Sequence, residues 1–111
     1  MAMKPNFIKK KKRKVHGATF WDREYTNPEH LKLSIVESGD LVKFTRWLGR
    51  QDDDTTLADS VFDAGCGNGR NLIYLATQFG MRGIGVDISS AAIAQARRAS
   101  VAFPHHYHSR T

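Results

Sequence analysis

Cysteine is almost missing from this sequence: 111 residues hold one, Cys66. An intrachain disulfide is therefore excluded, which suits a reducing compartment. No apolar run approaches the roughly 18 residues that a membrane span needs. The basic N-terminus also lacks the apolar stretch of a secretory signal, because Lys9–Lys14 leads straight into His16, Gly17 and Thr19. These absences predict a soluble intracellular protein with no membrane partner, cytoplasmic or, in a eukaryotic host, nuclear.

Acids are absent from the first fourteen residues, which carry seven Lys and Arg. The rest of the chain holds ten Lys and Arg against eleven Asp and Glu, so the formal net charge of +6 belongs to the tail and not to a basic face on the body. Six consecutive cations from Lys9 to Lys14 repel one another and bury nothing. Residues Met1–Gly17 are accordingly expected to form a flexible basic arm. The string KKKKRKV resembles a nuclear import signal and equally suits the phosphates of a nucleic acid.

From Thr19 the pattern changes. Thr19 is a candidate cap for a short helix on which Trp21 and Tyr25, four apart, share a face. Asn27-Pro28 breaks that helix. A second helix is expected either from a capping box at Ser34 and Glu37 or from a start at Asp40 after Ser38 and Gly39. Its apolar stripe reads Leu41, Phe44 and Leu48, widened by Val42 and Trp47, and Gly49 stops it. Ser60–Ala64 reads as a strand running into glycines. Arg70–Phe79 reads as a helix with Leu72, Ile73, Leu75, Ala76 and Phe79 on one face and Gly80 as its stop. Met81–Val86 reads as a second strand ending at Asp87. Ser89 or Ser90 caps a third main helix, Ala91 to about Ala102. A third strand starts near His105–Ser109. Strand, glycine loop, helix, strand, acid, helix is the opening of a parallel α/β sheet.

The stretch VFDAGCGNGR (Val61–Arg70) holds Gly65, Gly67 and Gly69 at alternate positions behind Asp63. Glycines at a strand-to-helix turn admit positive φ and the close approach of a ligand. In an open parallel sheet, ligands bind beyond the carboxyl ends of the strands, where both this loop and Asp87 fall. A carboxylate at Asp87 can accept both hydroxyls of a ribose. A Walker loop is excluded because no Gly-Lys-Ser/Thr follows. The dinucleotide pattern G-x-G-x-x-G fails too, because Arg70 stands where its third glycine belongs. Asp63 is also a poor neighbour for a pyrophosphate. A ligand with a positive end tolerates Asp63 better.

DAGCGNGR followed by GIGVDIS resembles the first two motifs of the class I S-adenosylmethionine-dependent methyltransferases, with an acid, alternate glycines, and an acid ending the next strand. Asp63, Gly65, Gly67, Gly69 and Asp87 match that pattern position by position, and the likeness runs from Val61 to about Arg98. The resemblance implies S-adenosylmethionine (SAM) as cofactor. It implies that the Gly65–Gly67 backbone, including Cys66, lies against the methionine part of the cofactor. Asp63 then orients the amino group, Asp87 holds the ribose and Ile88 packs on adenine. The earlier FWDREY resembles the helix that many such enzymes lay over the pocket, with Trp21 and Tyr25 closing it; the alternative is that both cover the sheet as ordinary core.

The fold implied is a Rossmann-like, doubly wound, mostly parallel sheet. Here it is incomplete: N-terminal helices and the first two or three βα units, with residues 18–111 as the N-terminal part of the domain. One sheet edge and apolar helix faces are expected to lie uncovered, and the chain is expected to be a fragment. No residue is assignable as a catalytic base, and methyl transfer is chiefly positioning. Two other functions compete with a methyltransferase: a non-catalytic SAM-site module with a nucleic-acid-binding arm, and a nicotinamide dinucleotide enzyme. His105, His106 and His108 include a His-x-His pair with no acid or Cys nearby to complete a metal set, so no metal is expected. Cys66 has only Arg70 as a nearby cation and reads as a small side chain that fits the turn, not as a nucleophile.

The arm generates a direct expectation. The chain should bind polyanions with an affinity that falls steeply with salt, and deletion of Met1–Lys14 should remove that affinity. Filter binding to RNA across a salt series measures it; equal binding by the deletion variant would give the arm another role.

Overall fold

The structure, a computed structural model, describes residues 17–51, 59–101 and 107–110. Seven elements follow in order: α1 (Ala18–Thr26), α2 (Gly39–Gly49), β1 (Ser60–Ala64), α3 (Arg70–Phe79), β2 (Arg82–Val86), α4 (Ser90–Ser100) and β3 (Tyr107–Arg110). The three strands form one parallel sheet in the order β1-β2-β3. The register sets Asp63 opposite Gly85 and Ala64 opposite Val86, so the two strands end together. Residues 1–16 of the expected arm, His105 and His106 lie outside the described residues.

Local chemistry explains most boundaries. Gly80 adopts a left-handed conformation and its N–H closes on the Ala76 carbonyl, which ends α3. Ser89 is the cap of α4, its hydroxyl accepting from the Ala92 N–H at 3.1 Å. Asn27 is extended and terminates α1 ahead of Pro28. Two expected caps differ. Gly17, not Thr19, precedes α1, so Thr19 falls inside the first turn. Ser34 caps nothing: its hydroxyl accepts from the Val36 N–H at 3.0 Å in a local turn, and α2 begins after Ser38.

The core lies where α3 and α4 cover one sheet face. Cys66, Leu72, Ile93 and Ala96 form a buried cluster, with Val61 of β1 against it. Two glycines of β2 make this contact close. A Cβ at Gly83 would stand 2.8 Å from Leu72 Cδ2. One at Gly85 would stand 2.7 Å from the Cys66 Cβ and Sγ and from Leu72 Cδ1. The bare backbone of β2 thus lets α3 and the glycine loop settle directly onto the sheet.

The opposite sheet face carries Phe62 and Ile84, both exposed, and β1 is an edge strand among the described residues. Helix α2 packs differently from its expected stripe. Thr45 is buried and its hydroxyl meets the Tyr74 hydroxyl at 2.8 Å, while Phe44 turns outward and stacks on Trp47. The inward stripe is therefore Leu41, Thr45 and Leu48. A threonine that finds a hydroxyl partner on α3 displaces the phenylalanine that apolar periodicity favours. Phe79 of α3 is likewise exposed and meets Tyr74 edge-on.

The segment between α1 and α2 is ordered by polar side chains. Glu24 is fully buried, and its carboxylate accepts from the backbone N–H groups of Glu29, His30 and Leu31 at 3.1–3.2 Å. Burial opposes its ionisation, yet the three N–H donors outweigh that and hold the carboxyl below its ordinary value. Farther along, Ser38 N–H donates to Asn71 Oδ1, Asn68 Nδ2 to the Ser34 carbonyl and Arg70 Nη1 to the Val36 carbonyl. The segment is thereby tied to the start of α3.

Gly85→Val should destabilise the fold by about 1–3 kcal/mol through overpacking. Gly49→Ala, in a helical position with nothing within 4 Å of the added Cβ, should leave stability equal or raise it by a few tenths up to about 1 kcal/mol. Urea unfolding midpoints measure both; equal effects at the two sites would show that close approach at Gly85 does not matter.

Candidate functional site

The glycine loop leaves β1 with a sharp turn: Gly65, Gly67 and Gly69 all have positive φ. Gly65 and Cys66 N–H groups both donate to the Val86 carbonyl, at 2.7 and 2.9 Å, which pins the loop to the end of β2. Gly67 N–H donates to Asp87 Oδ2 at 2.8 Å, and Ser89 N–H donates to Asp87 Oδ1 at 2.8 Å. The Asp87 carboxylate therefore joins the glycine loop to the start of α4. Each of its oxygens keeps a lone pair free of these bonds.

Two adjoining cavities open at this end of the sheet. The larger, about 600 Å³, lies between Trp21, Tyr25, Gly65, Val86, Asp87 and Ile88. The smaller, about 230 Å³, is polar and reaches Asp63, Gly67, Asn68, Arg70 and Lys32. Tyr25 and Gly65 line both. A bound molecule that fills both must pass the backbone of Gly65 beneath the ring of Tyr25. Gly67 is required there for a second reason besides its φ. A Cβ at this position would collide with the Tyr25 hydroxyl.

The acids of the site are unequally satisfied. Asp63 is half-buried, and among the described residues its carboxylate receives no hydrogen bond or ion pair. Burial first, and then the neighbouring charge of Asp87, push its pKa above the ordinary carboxylate value. Tyr25 is raised by the same causes, burial and then Asp87. Cys66 is pushed up to about 11 by burial, then by Asp63 and Asp87. Two acids at the ends of adjacent strands thus favour a cation beside Asp63, while Lys32 and Arg70 bring positive charge to another part of the same cavity.

The structure brings together most residues singled out in the sequence. Trp21 and Tyr25 stand half-buried on the wall of the larger cavity and are not part of the buried core cluster. Ile88 lines the same cavity with an exposed side chain. Cys66 borders the smaller cavity, but its side chain packs inward against β2, its thiol donating to the Gly67 carbonyl at 3.7 Å. Gly69 lines neither cavity; it precedes α3, and its carbonyl accepts from Ile73 N–H. His108 lies in β3, its neighbours His105 and His106 lie outside the described residues, and among the described residues no cluster of three His, Cys, Asp or Glu is placed to hold a metal. Sequence reasoning missed Lys32, Asn68 and Asn71. Asn68 and Asn71 flank the loop and were within reach of a motif reading, whereas nothing local marks Lys32.

Residues 61–108 match the family model for a methyltransferase domain. No curated protein matches the sequence. Solved structures do. Geranyl diphosphate C-methyltransferase from Streptomyces coelicolor A3(2), solved with Mg2+, geranyl diphosphate and S-adenosyl-L-homocysteine, is 30% identical over 68% of this chain and 27% of that one, with a TM-score of 0.52. YjhP from E. coli is 25% identical over 82% and 35%, with a TM-score of 0.55. A structure concerned with conversion of a disulfide bond into a thioacetal group during echinomycin biosynthesis shares the fold at 22% identity over 85% and 40%, with a TM-score of 0.64. The chain spans well under half the length of each. Among the described residues no helix is long and apolar enough to cross a membrane.

The raised Cys66 pKa makes a chemical prediction. With its pKa lifted from 9.0 to about 11, the thiolate fraction near neutral pH is roughly a hundredfold below that of an ordinary thiol. The folded chain should react with a disulfide reagent at least that much more slowly than the chain in urea, as followed by absorbance. Comparable rates would mean that the thiol is neither buried nor held protonated.

Proposed function

We propose that this chain is an N-terminal portion of a class I S-adenosylmethionine-dependent methyltransferase domain, that it binds SAM across the two cavities and that it serves methyl transfer to an acceptor; the match to a methyltransferase-domain model over residues 61–108 and the likeness to solved methyltransferase structures support this. The observation that carries the reading is Asp63: a half-buried carboxylate with no partner of its own among the described residues, raised in pKa, beside a second acid. Such a group is stabilised by a cation and repels a phosphate. SAM presents an ammonium and a sulfonium beside a neutral nucleoside, whereas a dinucleotide brings a pyrophosphate to the same turn.

The residues present fit that molecule end to end. The larger cavity has the apolar walls and the carboxylate that a nucleoside needs: Ile88 and Val86 against the base, Asp87 toward the ribose hydroxyls. The lone pairs that Asp87 retains after bonding Gly67 and Ser89 are the acceptors available to those hydroxyls. The smaller cavity receives the amino-acid end. Asp63 faces its ammonium, and Arg70 and Lys32 lie on the same wall as candidate partners of its carboxylate. Gly65, common to both cavities, marks where the thread between the two ends passes, and Tyr25 roofs it. When bound, the cofactor supplies an electrophilic methyl group. The chain's own part is to hold the molecule, exclude water from one side of it and aim it.

Calorimetric titration with SAM, S-adenosylhomocysteine and NAD tests the reading. Both adenosyl ligands should bind and NAD should not; binding of NAD alone would overturn it. Asp87→Ala should weaken SAM about tenfold or more, from the loss of charge-assisted bonds to the ribose. SAM affinity should fall as pH drops through the raised Asp63 pKa, because protonation removes the charge that faces the ammonium. Asp63→Asn should weaken binding at neutral pH and remove that pH dependence. The linked effect on the empty fold has the opposite sense. A carboxyl whose folded pKa is raised stabilises below its unfolded pKa, and that contribution is lost as pH rises through the folded value. Asp63→Asn should therefore raise the unliganded unfolding midpoint at neutral pH while lowering affinity.

A further inference from the structure

The side-chain network on the far side of α1 is used by nothing described so far. Asp22 reaches across to the start of α4, 67 to 69 residues away in sequence. Its Oδ1 accepts from the Ser89 hydroxyl at 2.6 Å, the Ala91 N–H at 3.0 Å and the Ser90 hydroxyl at 3.4 Å. We propose that Asp22 is a positioning residue that latches α1 onto the N-terminus of α4 and so holds Trp21 and Tyr25 over the cofactor cavity. The inference rests on the cofactor reading above.

Three observations carry it. First, the helix start that Asp22 engages is the one that also holds Asp87. Ser89 donates its hydroxyl to Asp22 and its N–H to Asp87 Oδ1, and Asp87 in turn accepts from Gly67. One unbroken chain of hydrogen bonds runs from α1 through α4 to the glycine loop. Second, α1 does not stand on its own. It has nine residues, no side-chain cap at its start and no acid in its first turn, so its position depends on what it is tied to. Among the ties that fix it to α4 are Asp22 and, one turn later, the hydrogen bond from Gln95 Nε2 to the Tyr25 carbonyl. Third, Asp22 lies between Trp21 and Tyr25 on this helix, and both of those line the cavity. The Tyr25 hydroxyl rests where any side chain at Gly67 would have to go. A small rotation of α1 moves both rings off the site.

The charge of Asp22 strengthens the latch. The free N–H groups at the start of an eleven-residue helix carry partial positive charge, and the anion sits against them. The Ala91 N–H and the Ser89 hydroxyl hold its carboxyl below the ordinary value, so it is ionised at neutral pH. An acid chosen merely for solubility would face water.

The test uses Trp21 as its own reporter. The chain has two tryptophans, and Trp47→Phe removes the other one, which is exposed on α2 and lines neither cavity. In that background, Trp21 emission and S-adenosylhomocysteine affinity are measured for Asp22→Ala and Asp22→Asn. Asp22→Ala should shift the ligand-free Trp21 emission to longer wavelength and weaken binding roughly tenfold. Asp22→Asn keeps an acceptor oxygen of the same shape and should recover part of both signals. A purely structural role would lower the unfolding midpoint and leave the emission of the folded protein and its affinity where they were; that result overturns the latch. If the Trp47→Phe chain itself does not bind S-adenosylhomocysteine, the cofactor reading falls, and the ligand-free emission of Asp22→Ala still decides whether Asp22 holds α1. If Asp22→Ala does not fold, Asp22→Asn with wild-type emission and affinity overturns the electrostatic part of the argument, and a partial shift in both supports it.

Discussion

The structure depends on one close contact: the glycine loop and α3 lie directly on the backbone of β2. Gly83 and Gly85 leave room for Leu72 and Cys66 at distances that no Cβ would allow. That approach does more than fill the core. It draws the loop down to the end of β2, where Gly65 and Cys66 bond the Val86 carbonyl. It thereby brings Asp63 and Asp87 to the same mouth. Without the bare strand, α3 would stand off the sheet, the loop would lift, and two acids at neighbouring strand ends would have no shared pocket to polarise.

Polar side chains then do what apolar burial does not. The N-terminal third of the described chain adds little to the buried core cluster, and its placement comes from directed bonds. Glu24 gathers three consecutive N–H groups, Asn68, Arg70 and Asn71 tie the following segment to α3, and Asp22 meets α4. Hydrogen bonds to ionised groups are stronger and more directional than the contacts of a small apolar core. A region of few buried hydrophobes can therefore still hold Trp21 and Tyr25 in place over the loop.

The electrostatic cost of this arrangement falls on Asp63. Every other acid at this end of the sheet has donors: Asp87 has two N–H groups, and Asp22 has two hydroxyls and an N–H. Asp63 has none among the described residues and sits half-buried next to a like charge. An unsatisfied charge in a pocket is a place where the fold carries strain that a ligand relieves, and its sign names the ligand's charge. The same surroundings silence the one thiol, because anions on two sides oppose a thiolate.

How much of this was legible beforehand follows from the range of the forces involved. The strand at Ser60–Ala64, the helix at Arg70–Phe79, the Gly80 stop, the Ser89 cap and the loop between the acids all arise from hydrogen bonds and φ preferences within a few residues, and local sequence carries them. The sequence by itself determined that an α/β sheet opens here with a bare turn between two acids. It did not determine which helix faces turn inward: Thr45 beats Phe44 because Tyr74 waits on another helix. Nor did it reveal that the glycines of β2 are an approach surface, that Asp22 belongs to α4, or that Glu24 is fully buried with three donors. Each of those depends on a partner that only the folded chain brings within 3.2 Å, and a carboxylate's role is set by the donors it meets, not by its neighbours in sequence.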